Sequence, residues 1–179
     1  MGQRFWEVQS LTSVPLFPPI SSQPGTYALI LRASRGRVVQ IGRLGLFTIR
    51  PGSYVYVGTA FGPGGLRGRV SHHLRLARRP HWHVDYLRPG LEVSEVWYSH
   101  DPQRREHLWA ALLVETAGCS VPVRGFGASD CRCECHLFFF DSPPSIDGFR
   151  RCLRRTVRNH SPVRVAYLHR GKFSRKRKA

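Results

Sequence analysis

Ser53-Tyr54-Val55-Tyr56-Val57-Gly58, entered through Pro51-Gly52, is a run of β-branched and aromatic residues and predicts a β-strand. Upstream, Thr26-Tyr27-Ala28-Leu29-Ile30-Leu31-Arg32 predicts another. Successive side chains of a strand point to opposite faces, so Tyr54, Tyr56 and Gly58 share one face and Tyr27, Leu29 and Leu31 share one face of the other strand. Two phenols could then look into one pocket. Residues 37–41 form a further short β-type run after Ser34-Arg35-Gly36, which predicts a hairpin with the Tyr27 strand.

Working outward, Phe61-Gly62-Pro63-Gly64-Gly65 breaks the strand pattern. It could cradle a phosphate at a helix start or simply connect. Residues 66–79 change to helical spacing, with Leu66, Val70, Leu74 and Ala77 in one apolar stripe and Arg69 and His73 one turn apart beside it. A strand is expected over 93–98. Asp101 followed by Pro102 reads as a helix start, Gly118 as its stop, and Glu106 lies between them. A last strand is expected over 135–140, and Ser142-Pro143-Pro144-Ser145 precedes an arginine-rich helix over 146–158. Four prolines in residues 1–24 predict an irregular lead-in. The expected architecture is one α/β domain over 25–141, a small, mainly antiparallel sheet flanked by helices. A basic C-terminal extension over 142–179 follows, its end, 173–179, disordered.

Charge narrows the partners. The chain carries 28 Lys and Arg against 11 Asp and Glu, a net +17. Twelve of the basic residues follow Asp147, after which there is no acidic residue at all. Such one-sided charge is the footprint of a polyanion binder, because neutralising phosphates releases condensed counterions. Nucleic acid is the expected partner, with an anionic membrane or an acidic protein as the alternatives, and Arg67, Arg69, Arg150, Arg151, Arg154, Arg155, Lys172, Arg175, Lys176, Arg177 and Lys178 are the candidate phosphate contacts. No apolar run approaches the roughly 20 residues a membrane span needs. Residues 1–14 show no secretory signal pattern. An intracellular location is therefore expected, cytoplasmic at the nucleoid or nuclear. Ser174-Arg175-Lys176-Arg177-Lys178 could serve as a nuclear address.

Gly25-Thr26-Tyr27 and Tyr56-Val57-Gly58 resemble the two tripeptides that name the GIY-YIG nuclease superfamily. Thr59-Ala60, the glycine-rich turn and Gly65-Leu66-Arg67-Gly68-Arg69-Val70 continue the likeness. More narrowly, Pro51-Gly52, Gly64-Gly65-Leu66, His81-Trp82-His83-Val84-Asp85-Tyr86-Leu87 and Phe126-Gly127-Ala128-Ser129-Asp130-Cys131 look like a branch of that superfamily found alone or fused to base-excision glycosylases. The resemblance implies a metal-dependent DNA endonuclease of repair or processing. It implies that Tyr27 activates or positions a water, Tyr56 assists, Arg69 holds the scissile phosphate through its fork of donors, and Glu106 binds Mg2+ or Mn2+. His73, following His72, could be a base, a phosphate donor or a partly buried helix residue, and is given a supporting part. Tyr56 follows Tyr27 by 29 positions, longer than the family's usual hairpin, and an inserted hairpin around 38–46 explains that length. A binding module of the same fold without turnover and an RNA-acting nuclease are the alternatives.

Two further clusters are left open by the sequence. His81, His83 and Asp85 alternate, which on an extended strand would place them on one face to hold a metal or a phosphate, or let the carboxylate merely orient a histidine. Cys131, Cys133, Cys135 and His136 make a candidate zinc set, with Cys119 as a further ligand. Each cysteine pair, however, encloses one residue where structural zinc sites usually enclose two to four. Buried free thiols beside Phe138-Phe139-Phe140 are the simpler account, and an odd count of five cysteines argues for reduced thiols.

Overall fold

The computed structural model describes residues 16–129 and 131–168. The strands are β1 (Leu16–Phe17), β2 (Gly25–Ala33), β3 (Arg37–Ile41), β4 (Gly45–Ile49), β5 (Gly52–Ala60), β6 (Glu92–Ser99), β7 (Leu137–Phe140) and β8 (Arg164–Leu168). The helices are α1 (Gly65–Leu74), α2 (His83–Leu87), α3 (Glu106–Val114) and α4 (Ile146–Thr156). Six strands form one sheet in the order β1-β8-β6-β2-β5-β7, and every pairing in it is antiparallel. This is the expected class, a mixed α/β fold with helices flanking an antiparallel sheet.

β2 and β5 are neighbouring interior strands and pair along their whole length, from Gly25 opposite Ala60 to Ala33 opposite Gly52. Their parity builds the two halves of the core. Tyr27, Leu29, Leu31, Tyr54 and Tyr56 pack on one face with Leu66 and Val70 of α1 and Val84 and Leu87 of α2. Ala28, Ile30, Val55 and Val57 pack on the other with Trp109 and Leu113 of α3 and Phe149 and Leu153 of α4. A fully buried side chain of this size contributes ~1.5–3 kcal/mol. A strand with apolar residues at both parities is therefore stable only with helices on both sides.

Several local expectations are corrected. β3 does not pair with β2, because β5 and β6 already occupy both edges of β2; it pairs with β4 in a separate two-stranded sheet. That hairpin is the insertion expected around 38–46. α1 ends at Leu74, where the chain turns extended at Arg75, and Ala77 lies beyond it. Asp101 does not cap α3, which begins at Glu106; its carboxylate instead accepts from the backbone N–H of Gln103 and Ser161 and from Arg105 Nε. Residues 83–87 are helical, not extended. In the lead-in, Leu16–Phe17 joins the sheet through β8. Much of the basic stretch beyond residue 142 is built into this body. α4, capped by Ser145 Oγ accepting from the Gly148 N–H, covers one face of the sheet, and β8 runs between β1 and β6. Residues 173–179 lie outside the described residues. No helix among the described residues is long and apolar enough to cross a membrane.

Candidate active site

The Tyr27 ring comes off β2 towards α1, and its hydroxyl lies 2.9 Å from His73 Nε2. His73 Nδ1 lies 3.2 Å from Asp85 Oδ1. A carboxylate can only accept, so Nδ1 carries the proton, Nε2 is left as the acceptor, and the Tyr27 O–H donates to it. The direction of this chain is thereby fixed. Asp85 stands in the first turn of α2 and reaches back, its Oδ2 accepting from the backbone N–H groups of His81 and Trp82 at 3.0 Å each and from His72 Nε2 at 3.3 Å. Arg88, itself buried, donates from Nε to the carbonyl of His73 and from Nη2 to that of Leu74, so the carbonyl end of α1 is closed by a guanidinium.

Burial decides the protonation of this chain. It raises the Tyr27 phenol well above its ordinary range, with Tyr56 and Asp85 adding and Arg69 opposing. It lowers His73, against the opposing pull of Asp85. Burial alone would raise Asp85, but the hydrogen bonds from His73, His81, Trp82 and His72 hold it well below the usual carboxylate range. At neutral pH the chain is phenol, neutral imidazole and carboxylate.

Tyr56 meets Tyr27 edge to face, ring centroids 6.4 Å apart, and lies 5.9 Å from the His73 ring. Gly58 stands opposite Tyr27 in the ladder. A methyl group there would sit 2.5 Å from the Tyr27 hydroxyl, so only glycine lets the phenol lie across β5. Arg69 is half-buried on α1 with its guanidinium carbon 4.3 Å from the centre of the Trp82 ring, a stacking contact that restrains the fork. Gly127, at φ +70°, lets the loop after Phe126 pass close by Tyr56 and His136, and its N–H donates to His83 Nδ1 at 2.9 Å.

Glu106 reaches the same place from the opposite face of the sheet. The backbone N–H of Arg105 donates to Thr26 Oγ1 at 3.0 Å, which pins the start of α3 to the residue beside Tyr27. Adjacent positions of one strand thus hold the phenol on one side and the carboxylate's helix on the other. β7 pairs with β5 only as far as Tyr56, and past that point a cleft of about 180 Å³ opens. Tyr27, Tyr56, Arg69 and Glu106 all line it, together with Trp82 and His107. Glu106 is nearly buried; its Oε1 lies 3.8 Å from His107 Nε2, and its Oε2 is buried with no hydrogen-bond partner among the described residues. An unpartnered buried carboxylate oxygen is costly, and a hard divalent cation is the partner it fits.

A family profile described as a domain of unknown function, DUF123, matches residues 26–158. The chain belongs to the DUF123 family. No curated protein and no solved structure matches it.

The remaining expected residues of this DUF123 chain fall elsewhere. Because 83–87 is helical, His81, His83 and Asp85 do not share a face: Asp85 turns to His72 and His73, His83 turns to the Gly127 loop, and His81 is exposed. Arg67 is exposed on α1. Arg151, Arg154 and Arg155 are exposed on α4, which packs on the face of the sheet opposite α1, and they do not line the cleft. Arg150 is committed within the fold, donating to the carbonyl of Val163 from Nε and Nη2 and to Asp147 from Nη1. Lys172, Arg175, Lys176, Arg177 and Lys178 lie outside the described residues. Sequence reading missed Trp82 as the platform under Arg69, Arg88 behind His73, and Thr26 as the anchor of α3. Only the adjacency of Thr26 to Tyr27 offered a local signal.

Proposed function

We propose that this protein is a metal-dependent endonuclease of the GIY-YIG type that hydrolyses a phosphodiester in DNA. The observation that carries the reading is the cleft in which Tyr27, Tyr56, Arg69 and Glu106 meet, with Tyr27 hydrogen-bonded to a neutral His73. The DUF123 family is GIY-YIG-like in fold, which agrees with it. Water attack forms one P–O bond and breaks another. As the water adds to phosphorus, its proton passes to the Tyr27 oxygen while the Tyr27 proton passes to His73 Nε2, and Asp85 stabilises the imidazolium that results. Arg69, restrained on Trp82, pairs its fork with the phosphate oxygens. Tyr56 walls the phenol and keeps it in line. Glu106 would hold Mg2+ or Mn2+ through its unpartnered oxygen, and such an ion supplies positive charge for the phosphoryl and departing oxygens. The leaving oxygen takes its proton from solvent. Basic side chains outside the cleft supply affinity without base readout.

The test is cleavage of supercoiled plasmid and branched DNA with Mg2+ or Mn2+, comparing wild type with Tyr27→Phe, Arg69→Ala and Glu106→Gln. Each substitution is expected to slow cleavage by roughly 10²-fold or more. Equal activity in all four proteins would remove the site. DNA binding without cleavage in the wild type would replace the enzyme with a binding module, and cleavage of RNA alone would change the substrate.

A further inference from the structure

One wall of the cleft holds a second cluster with no part in that chemistry. His107, the second residue of α3, lies against the loop between Phe126 and Leu137. One ligand atom from each of His107, Cys131, Cys133 and His136 lies within 4.8 Å of all the others. His107 Nδ1 is 3.1 Å from Cys133 Sγ, and His136 Nε2 is 3.5 Å from Cys131 Sγ. The loop that carries the cysteines is not a strand. Its base is closed by Gly125 N–H to the carbonyl of Glu134 and His136 N–H to that of Phe126, both 2.8 Å. The bend brings Cys131 and Cys133 together with both histidines although the pair encloses only one residue. Cys135 points the other way. It is buried, its thiol donates to the carbonyl of Leu137, and its sulfur accepts from the Leu137 N–H. Burial pushes that thiol up to about 12. Cys119 is outside the cluster.

We propose that His107, Cys131, Cys133 and His136 bind one zinc ion in a closed, structural site. Two thiolates and two imidazoles are a donor set zinc takes readily. Zn–S bonds of ~2.3 Å and Zn–N bonds of ~2.0–2.1 Å in a tetrahedron give donor separations of roughly 3.3–3.8 Å. The 3.5 Å His136 to Cys131 contact falls within that span, and the 3.1 Å contact lies just below it. All four tetrahedral positions are filled by protein, leaving none for a water or substrate, so the ion is a clamp and not an electrophile. It joins the start of α3 to the loop that walls the cleft. His107 presents its other ring nitrogen, Nε2, towards Glu106 Oε1. That approach, 3.8 Å, is longer than a hydrogen bond, so the clamp acts on Glu106 by holding the start of α3, of which Glu106 is the first residue.

The full-length protein is purified from zinc-supplemented culture, its metal content measured, and the zinc exchanged for cobalt. About one zinc per chain and the intense visible bands of tetrahedral cobalt with thiolate-to-cobalt charge transfer are expected. Against a competing chelator, Cys131→Ser and Cys133→Ser should each weaken zinc retention by at least about tenfold, while Cys119→Ser and Cys135→Ser retain it. His107→Cys should keep the ion and strengthen the charge-transfer band. A wild-type protein with no bound zinc and a six-coordinate cobalt spectrum overturns the site, as does a Cys135→Ser variant that loses zinc as readily as Cys131→Ser. These measurements read metal and not cleavage, so a zinc-loaded protein that cuts nothing would remove the nuclease reading and leave this one standing.

Discussion

The two walls of the cleft differ in how complete they are. On the α1 and α2 side, the Tyr27 hydroxyl, both nitrogens of His73, both oxygens of Asp85 and the carbonyls of His73 and Leu74 have protein partners. On the α3 side, a buried Glu106 oxygen has none among the described residues, and two thiols and two imidazoles crowd together beside it. The first wall is preorganised by the polypeptide alone. The second lacks that completion among the described residues, and it is where both proposed cations would bind. Folding stability and metal dependence should therefore separate by side.

The largest effect expected from breaking this contrast is at Asp85. Asp85→Ala leaves two histidines and two backbone N–H groups without their acceptor and should cost on the order of 3–5 kcal/mol. Thermal melting reads it. In the same assay without divalent ions, Glu106→Gln should leave the midpoint unchanged or raise it by a few degrees, since it keeps the shape of the side chain and removes a nearly buried carboxylate whose Oε2 has no hydrogen-bond partner among the described residues. If Glu106→Gln destabilised as much as Asp85→Ala, the contrast between the walls would be gone.

Gly58→Ala comes next. The added methyl would collide with the Tyr27 hydroxyl, at a cost of about 1–3 kcal/mol from overpacking. Because the phenol must move off His73, cleavage should fall further than stability. Retained plasmid cleavage with wild-type kinetics would show that the placement of the Tyr27 phenol across Gly58 of β5 is unimportant.

Acid should act on the complete wall through two groups of the same sign. His73 is held neutral in the fold with a lowered pKa, so as pH falls below about 6.5 the unfolded chain gains a proton that the folded chain refuses, and stability drops. Asp85, depressed in the fold, contributes stability above the ordinary aspartate range that is lost as pH falls through that range towards its folded value. Denaturant unfolding from pH 7.5 to 5 should show decreasing stability, with a shallower slope in His73→Gln. The acid limb of cleavage should lie below the pH at which an ordinary histidine charges. A limb above about 6.5 would mean that His73 is not the proton acceptor.

Trp82→Leu should have the smallest effect. Losing a cation–π contact worth roughly 0.5–2 kcal/mol should reduce cleavage a few-fold to about thirtyfold. Melting should change little, because Trp82 is only half-buried.

What could be read in the sequence was whatever depends on short spacing. The shared face of Tyr27, Leu29 and Leu31 follows from a period of two, and the placement of Arg69 and His73 follows from one helical turn. The helix carrying Glu106 was legible, but not its first residue, because the Asp101 carboxylate is drawn to the N–H of Ser161, 60 positions away. Val84 and Leu87 fit a helix as well as the histidines fit a strand. Asp85 tips the balance by accepting from the N–H groups at the start of α2. β8 was hidden because its arginine-flanked run forms a strand only where the edge of β6 receives it. The set joining His107 to Cys131 is non-local, and no spacing rule within the cysteine run could supply its fourth member.

Ala33 and Gly52 face one another on the last rung of the β2–β5 pair. The chain therefore departs after β2 and returns to start β5 at one point, while Tyr27 faces Gly58 near the far end of that ladder. Ile49 at its base and Ile41 beside its turn root the intervening ribbon in the core, and Leu46, opposite Gln40 on β4, is 76% exposed. This rung acts as a graft point. Side chains on the ribbon's solvent-facing side, Leu46 among them, can be exchanged by design without a shift in strand register reaching the phenols.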